Sequence, residues 1–456
     1  MNREIYQVPC IDQKVKSSAG LCLQVPGSKS ITNRALLLAA LADGTSVLRD
    51  VLFSEDSRHF LECIQALGLN TQVDETKKTI VVEGMGGKVP LQEARLNVGS
   101  AGTAARFLSA WLGLSKGVYH MDASEQMRKR PMAPLLDSLK ELGCEIIYEG
   151  EEGHFPFTLK GNGFRKNQIA VNIDKSSQFL SALLIASCLS EQNFWITTEG
   201  SHGMSYIEMT VRMMQSFGVQ AEPLYYCSGN GENHNCSGCI NSTQPYGYRV
   251  PAGQRYHALD YQVEPDLSAA CYFYALSPLL GIPVTVQNIH RTDRSLQGDI
   301  AFLGVLEQMG CAVPDTDYGV LVQPPAERVY HGVDVDMSSF SDQAITLAAL
   351  APFADSPTTI RGIGHIRHQE SDRIAAIATE LGKMGILCEE TDDSITIHPG
   401  FPSPSAVETY DDHRMAMGFS LIGLRAPGII IRNPDCCRKT FEGYFDLLDD
   451  IVRRLT

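Results

Sequence analysis

The stretch Pro26-Gly27-Ser28-Lys29-Ser30-Ile31-Thr32-Asn33-Arg34 decides how this chain is read. A Pro-Gly turn runs into a Ser/Thr-rich segment, and a helix rich in Ala and Leu, residues 35–41, follows at once. A helix that begins this way has unpaired backbone N–H groups at its start and the positive end of its dipole behind them. With Lys29 and Arg34 on the same turn, that start becomes a socket for an anion. The plainer reading of one such stretch is that Ser28 or Ser30 caps a core helix and both cations are solvated.

The device recurs along the chain. Ser100-Ala101-Gly102-Thr103 opens 104–114, Ser176-Ser177-Gln178 opens 179–189, and Asp266-Leu267-Ser268 opens 269–280. Ser341-Asp342 opens 343–353, and Asp411-Asp412-His413-Arg414 opens 415–424. The six starts lie about 70–75 residues apart, with one gap of about 90, a spacing that reads as an internal repeat. A second, amphipathic stretch follows most of them and stops at Gly68, Gly143, Gly218, Gly310 or Gly385, each succeeded by a hydrophobic residue or Cys. That order suits a left-handed helix end running into a strand. Short β-branched runs such as 80–82, 196–198 and 395–397 supply strands between the helices.

Each unit is therefore strand, helix, strand, helix, strand, with three copies before about residue 260 and three after. Helices apolar on nearly every side are interior helices, so three would form the inside of each of two lobes. Helix starts facing one cleft aim positive dipole ends at one ligand volume, which predicts an anionic substrate.

Composition agrees with a large enzyme. A chain of 456 residues exceeds one core and divides in two. A formal charge of −15 argues against nucleic acid and acidic membrane surfaces as partners. Thirteen Cys without even spacing, and no leader pattern at Met1-Asn2-Arg3-Glu4, lead us to expect a reducing cytoplasmic setting. The apolar runs are far shorter than the ~20 residues of a membrane span.

Other residues carry two readings each. Arg106 sits inside an apolar helix, where it needs either an internal partner or an anionic ligand. Arg128-Lys129-Arg130-Pro131 is either a solvated basic loop or the clamp for a carboxylate or phosphate. Ser176, Ser177 and Gln178 offer hydroxyls and an amide beside free N–H groups, and Tyr206 at another helix start adds a hydroxyl. Asp342 is placed at the cap of the fifth helix, where a carboxylate either caps or takes a proton from a substrate hydroxyl. In 365–373, Glu370 and Asp372 suit a helix start, and Arg373 three residues after Glu370 reads as a helix ion pair. Residues 227–243, rich in Gly, Asn and Ser, account for the long gap; Cys227, His234, Cys236 and Cys239 make a short zinc loop conceivable, but no metal site is assigned.

Taken together, Pro26-Gly27-Ser28-Lys29-Ser30 with Asn33-Arg34, Ala101-Gly102-Thr103 with Arg106, Arg130-Pro131 and Ser176-Ser177-Gln178 resemble the 5-enolpyruvylshikimate-3-phosphate synthase family. Asp342, Glu370-Ser371-Asp372-Arg373, Asp412-His413-Arg414-Met415-Ala416-Met417 and Lys439-Thr440-Phe441 complete the resemblance, in the right order over most of the chain. It implies a two-domain, inside-out α/β (α+β) fold, each domain built from three βαβαββ repeats around buried parallel helices. The expected lobes are 26–263, on the shikimate-3-phosphate side, and 1–25 with 264–456, on the phosphoenolpyruvate side.

The implied activity is transfer of the enolpyruvyl group of phosphoenolpyruvate to the 5-hydroxyl of shikimate 3-phosphate, by addition and elimination through a tetrahedral intermediate. No metal and no organic cofactor are expected, and a monomer is the default. By resemblance, Lys29, Gly102, Arg130, Arg373, Arg414 and Lys439 hold phosphoenolpyruvate. Lys29, Ser30, Arg34, Ser176, Ser177, Gln178, Tyr206, Asp342, His365 and Gln369 face shikimate 3-phosphate. Asp342 accepts the hydroxyl proton, Glu370 protonates the methylene carbon, and Lys29 belongs with them. Gly102 is the small residue that leaves room for glyphosate.

Three positions depart from the family pattern. Gln369 stands where Lys is usual, His365 where Asn is common, and Ser205 is the stand-in for a displaced phosphate-binding Ser. His365 or His368 would then add a pH dependence near neutrality. The acceptor half therefore matches less closely than the phosphoenolpyruvate half. Two rival readings follow: a same-fold transferase with another acceptor, and a weakly active ligand-binding paralogue.

Overall fold

The computed structural model describes residues 4–12, 14–16, 20–200, 203–225, 244–291 and 295–456. The chain forms two compact units, Lys29–Val263 and Met1–Ser28 with Glu264–Thr456. Residues 26–28, placed with the first lobe by the sequence, belong with the unit that contains the C-terminus. Ser28 N–H donates to the Glu264 carbonyl at 2.8 Å and Asp266 N–H to the Pro26 carbonyl at 2.8 Å, so the two crossings run side by side.

In the unit Lys29–Val263 the helices are α1 (Lys29–Leu41), α2 (Glu55–Ala66), α3 (Gly102–Gly113), α4 (Glu125–Arg128), α5 (Ala133–Leu142), α6 (Gln178–Ser187) and α7 (Met204–Ser216). One repeat shows the plan. Strand Glu93–Asn97 crosses through α3 to the parallel strand Lys116–Asp122, and α5 then leads to the antiparallel hairpin Glu145–Tyr148 and Phe157–Asn162. The repeat with α6 and α7 has the same strand order. For the repeat with α1, the leading strand is Asp260–Gln262, which arrives from the end of the unit and pairs parallel with Asp43–Arg49. The first repeat is thus completed by the last strand, which closes the set of three.

In the other unit the helices are α8 (Leu267–Tyr274), α9 (Leu276–Leu280), α10 (Phe302–Gln308), α11 (Ala344–Leu350), α12 (Arg373–Lys383), α13 (His413–Arg425) and α14 (Tyr444–Leu455). Its two four-stranded sheets repeat the same order, and Leu21–Leu23 leads one of them, parallel to Val284–Val286. The third sheet has three strands, with Ile5–Gln7 antiparallel to Ile429–Arg432.

The apolar helices are interior: every residue of α3 and α11 is buried, and so is all of α6 after Gln178. α3 packs on α6 and α11 on α13. The five glycine stops all have positive φ, between 83° at Gly385 and 114° at Gly143, and the residue after each is buried. Two helices depart from the sequence reading. The expected helix 269–280 is broken after Tyr274, because Pro278 has no N–H and its ring would strike the Tyr274 carbonyl. The expected helix 343–353 is α11 flanked by 3₁₀ turns, Ser341–Gln343 and Ala351–Phe353. Asp342 therefore lies inside a 3₁₀ turn and is not a helix cap. No helix among the described residues is long and apolar enough to cross a membrane.

Candidate active site

In the unit Lys29–Val263, polar side chains gather at the starts of α1, α3 and α6. Lys29 Nζ lies 3.4 Å from Asp56 Oδ2, and Ser100 Oγ donates to the other carboxylate oxygen at 3.2 Å. Asn33 Nδ2 donates to Thr103 Oγ1 at 2.7 Å and ties the start of α1 to that of α3. A methyl group built on Gly102 would lie 2.7 Å from Arg106 Nη1, 3.1 Å from Arg130 Nη1 and 3.2 Å from Gln178 Oε1. Gly102, Arg130 and Gln178, assigned separately from sequence, therefore meet at one point. Gln178 Oε1 is buried there without a hydrogen-bond partner, which is costly unless a ligand supplies one.

Arg106 donates to the Gly102 and Pro131 carbonyls at 3.3 and 3.1 Å and lies over the Phe179 ring, so its partners include backbone carbonyls. Ser176 Oγ accepts from Gln178 N–H at 3.3 Å, while buried Ser177 sits at the helix start without capping it. Gly203, before α7, packs close against Ser177 Oγ. Arg34 is fully buried, donating to Thr210 Oγ1 at 2.8 Å, the Ser30 carbonyl at 3.1 Å and the Tyr206 carbonyl at 3.3 Å, beside the rings of Phe107 and Tyr206. Burial pulls its guanidinium down to about 10. Arg34 thus joins α1 to α7 through groups of the unit itself.

The other unit holds a tighter cluster, built from the starts of α12 and α13, the 3₁₀ turn Ser341–Gln343 and the end of the 3₁₀ turn Pro434–Lys439. Arg373, the first residue of α12, is buried and spends its N–H groups on four partners. Nε donates to Asp412 Oδ2 at 2.8 Å, and Nη2 to Asp412 Oδ1 at 3.3 Å and Glu370 Oε2 at 3.0 Å. Nη1 donates to Asp342 Oδ1 at 3.1 Å and to Gln369 Oε1. Burial alone would lower its pKa, but Asp412, Glu370 and Asp342 outweigh that and keep it above the usual value. Arg414, on the first turn of α13, donates to Asp342 Oδ2 at 2.7 Å, and its own N–H is held by the capping carboxylate of Asp412 at 2.9 Å. Lys439 Nζ lies 3.6 Å from Glu370 Oε1. Three carboxylates and three cations thus alternate in one group, in which Asp342 and Glu370 are half-buried and the other four buried.

Residues 15–448 match the family described as EPSP synthase (3-phosphoshikimate 1-carboxyvinyltransferase). This chain belongs to the EPSP synthase family. A 3-phosphoshikimate 1-carboxyvinyltransferase of Nostoc punctiforme is 42% identical over 443 residues, covering 97% of this chain and 98% of that protein. One of Halalkalibacterium halodurans, bearing the same name with the number 2, is 37% identical over 94% of this chain and 91% of its own length. A solved EPSP synthase from Acinetobacter baumannii has a TM-score of 0.74 at 24% identity, covering 96% of this chain and 97% of that one. The enolpyruvyl transferase NikO from Streptomyces tendae has a TM-score of 0.70 at 18% identity, covering 99% and 98%.

As an EPSP synthase family member the chain has the two-domain α/β fold read from its repeats. Within one unit the structure unites Asp342, Gln369, Glu370, Arg373, Arg414 and Lys439, and within the other Gly102, Arg130 and Gln178. His365 bonds Ser341 Oγ at 2.7 Å, next to Asp342 in sequence. Asp56, Tyr272 and Asp299 were not among the site residues read from the sequence, and Ser268 was read only as part of a helix start. Tyr272 OH accepts from Arg414 at 3.5 Å, and Ser268 links Arg414 to the buried Asp299 carboxylate. Asp299 lies in a short turn with no motif around it, so no local signal marked it. The suggested zinc loop, residues 227–243, lies outside the described residues, and His202 likewise.

Proposed function

We propose that this chain transfers the enolpyruvyl group of phosphoenolpyruvate to the 5-hydroxyl of shikimate 3-phosphate and releases phosphate. The observation that carries this reading is Arg373 joined at once to Asp342 and Glu370, with Arg414 and Lys439 on their far sides. Two carboxylates among three cations suit a reaction that needs a base, an acid and a seat for a polyanion.

On this reading Asp342 takes the proton of the 5-hydroxyl as its oxygen attacks C2 of phosphoenolpyruvate. Glu370 delivers a proton to C3, giving the tetrahedral intermediate with a methyl group. Glu370 then takes a proton back from that methyl, the double bond re-forms and phosphate leaves as hydrogen phosphate, carrying the proton that Asp342 had taken. Phosphoenolpyruvate arriving at Arg373 and Lys439 would take over the cations that now face Glu370, so its binding favours the protonated carboxyl that the first step uses. Arg130, Gly102 and Lys29 would hold phosphoenolpyruvate from the other lobe; Ser30, Ser176, Ser177, Gln178 and Tyr206 would hold shikimate 3-phosphate. Arg34 would act behind them, fixing Ser30 and Tyr206. A monomer in the cytoplasm is the working assumption.

Phosphate release with both substrates tests the activity. D342N and E370Q are each expected to lower kcat by about 10³-fold or more. Turnover faster with shikimate or another cyclohexene polyol than with shikimate 3-phosphate would move the reading to another acceptor. Ligand binding without any turnover would make the protein a binding paralogue.

A further inference from the structure

Asp299 is one of the buried carboxylates that the reaction above does not use. Its Oδ2 accepts from Ser268 Oγ, Ser268 Oγ accepts from Arg414 Nη2 at 3.4 Å, and that same Nη2 donates to Asp342 Oδ2 at 2.7 Å. Its place is fixed by the preceding Gln297, whose Oε1 accepts from Leu267 N–H at 3.0 Å and whose Nε2 donates to the Pro265 carbonyl at 2.8 Å. The turn Gly298–Ala301 is thereby locked onto the start of α8, with Cys271 Sγ against the Asp299 carbonyl at 3.8 Å. A carboxylate so placed is expensive to bury, which an apolar side chain in the same turn would not be.

We propose that Asp299 is a positioning residue: through Ser268 it holds the Arg414 guanidinium against Asp342, and its charge tunes how readily Asp342 takes a proton. The proposal rests on the reading of Asp342 as proton acceptor. Among the described residues, the groups that face Asp299 are Ser268, Asp266 and Cys271 from α8 and its cap, Asp342 from its 3₁₀ turn and Arg414 from α13. Burial first, and the Asp342 charge second, push the Asp299 carboxyl up to about 7, against Arg414 and Ser268. Ionised Asp299 shares the Arg414 charge and adds a negative field, which makes Asp342 the stronger base. Protonated Asp299 leaves Arg414 wholly to Asp342 and weakens it as a base. Activity should therefore rise as pH passes upward through about 7.

The test is the pH dependence of kcat and KM for wild type, D299N, D299A, S268A and D342N with both substrates. D299N keeps an acceptor for Ser268 and loses the ionisation. It should run about 3–10-fold below wild type at high pH, with both KM values within about twofold and without the rise near neutrality. D299A and S268A, which break the chain to Arg414, should lose more in kcat than D299N. If D299A does not fold, as judged by circular dichroism, D299N and S268A carry the test. A D299N profile identical to wild type, or a loss of the same factor at every pH, overturns the proposal. D342N separates the two readings: if it is inactive while D299N behaves as wild type, only the role of Asp299 falls. If D342N keeps full activity, the assignment of Asp342 falls with it.

Discussion

Gly102 shows how much one missing side chain decides. Its face is met by Arg106, Arg130 and Gln178 from separate elements, and a methyl group there would need Arg106 and Arg130 to retreat. G102A is expected to raise KM for phosphoenolpyruvate about tenfold while moving KM for shikimate 3-phosphate much less, measured by phosphate release. Equal changes in both constants would place Gly102 away from phosphoenolpyruvate. Glyphosate inhibition of the wild type is expected in the micromolar range, and G102A should weaken it more than it weakens substrate binding. Asp299 gives a second residue-scale expectation, in stability. Folding raises its carboxyl from 3.8 to about 7, so between these values the folded protein holds a proton that the unfolded chain has released. That contribution is complete below the lower value and is lost as pH rises through the upper one. The thermal midpoint of D299N should therefore gain on wild type between about pH 4 and pH 7. A difference independent of pH would mean that Asp299 does not titrate.

At the scale of elements, the hairpins carry a device that recurs between repeats. Gly161 in strand Phe157–Asn162 lies under the ends of α3, where an added Cβ would come within 2.0 Å of the Ser115 carbonyl and 2.5 Å of the Leu112 carbonyl. Gly84 in Thr79–Met85 meets the Ala39 and Ala42 carbonyls in the same way at the end of α1, each at 2.3 Å. Backbone cannot yield as a flexible side chain does, so G161A and G84A should each cost about 2–4 kcal/mol, read as a lower thermal midpoint. A shift below one degree would mean that strand and helix separate easily. The glycine stops were legible because a positive φ is a property of the residue and its neighbours. The break at Pro278 was legible in principle by the same local rule. The 3₁₀ turn of Asp342 was not: Ser341-Asp342 looks like a cap, and the side chain is instead claimed by Arg373 and Arg414 from later helices.

On the scale of the whole molecule, the function proposed above gives phosphoenolpyruvate residues from both units, so on that reading both ligands together should stabilise more than either alone. A ligand at about 100 times its Kd adds roughly 2.7 kcal/mol. Shikimate 3-phosphate with phosphoenolpyruvate, added to E370Q so that turnover does not consume them, should raise the thermal midpoint by more than the sum of the separate shifts. Additive shifts would indicate independent sites. Strand Asp260–Gln262 completing the first sheet of its unit, and Leu21–Leu23 leading a sheet whose other strands begin near residue 284, show how the repeats are closed by chain ends. The sequence by itself determined six repeats, interior helices with polar starts, glycine stops and the set of cations and carboxylates, because each follows from local pattern and spacing. Only the tertiary structure decided that Arg373 is bound by four partners, that Gly102, Arg130 and Gln178 converge, and that Asp299 reaches Asp342 through Ser268 and Arg414. Those pairings join residues up to 146 positions apart, and which side chains meet across such distances is fixed by how helices pack, not by the pattern along any one of them.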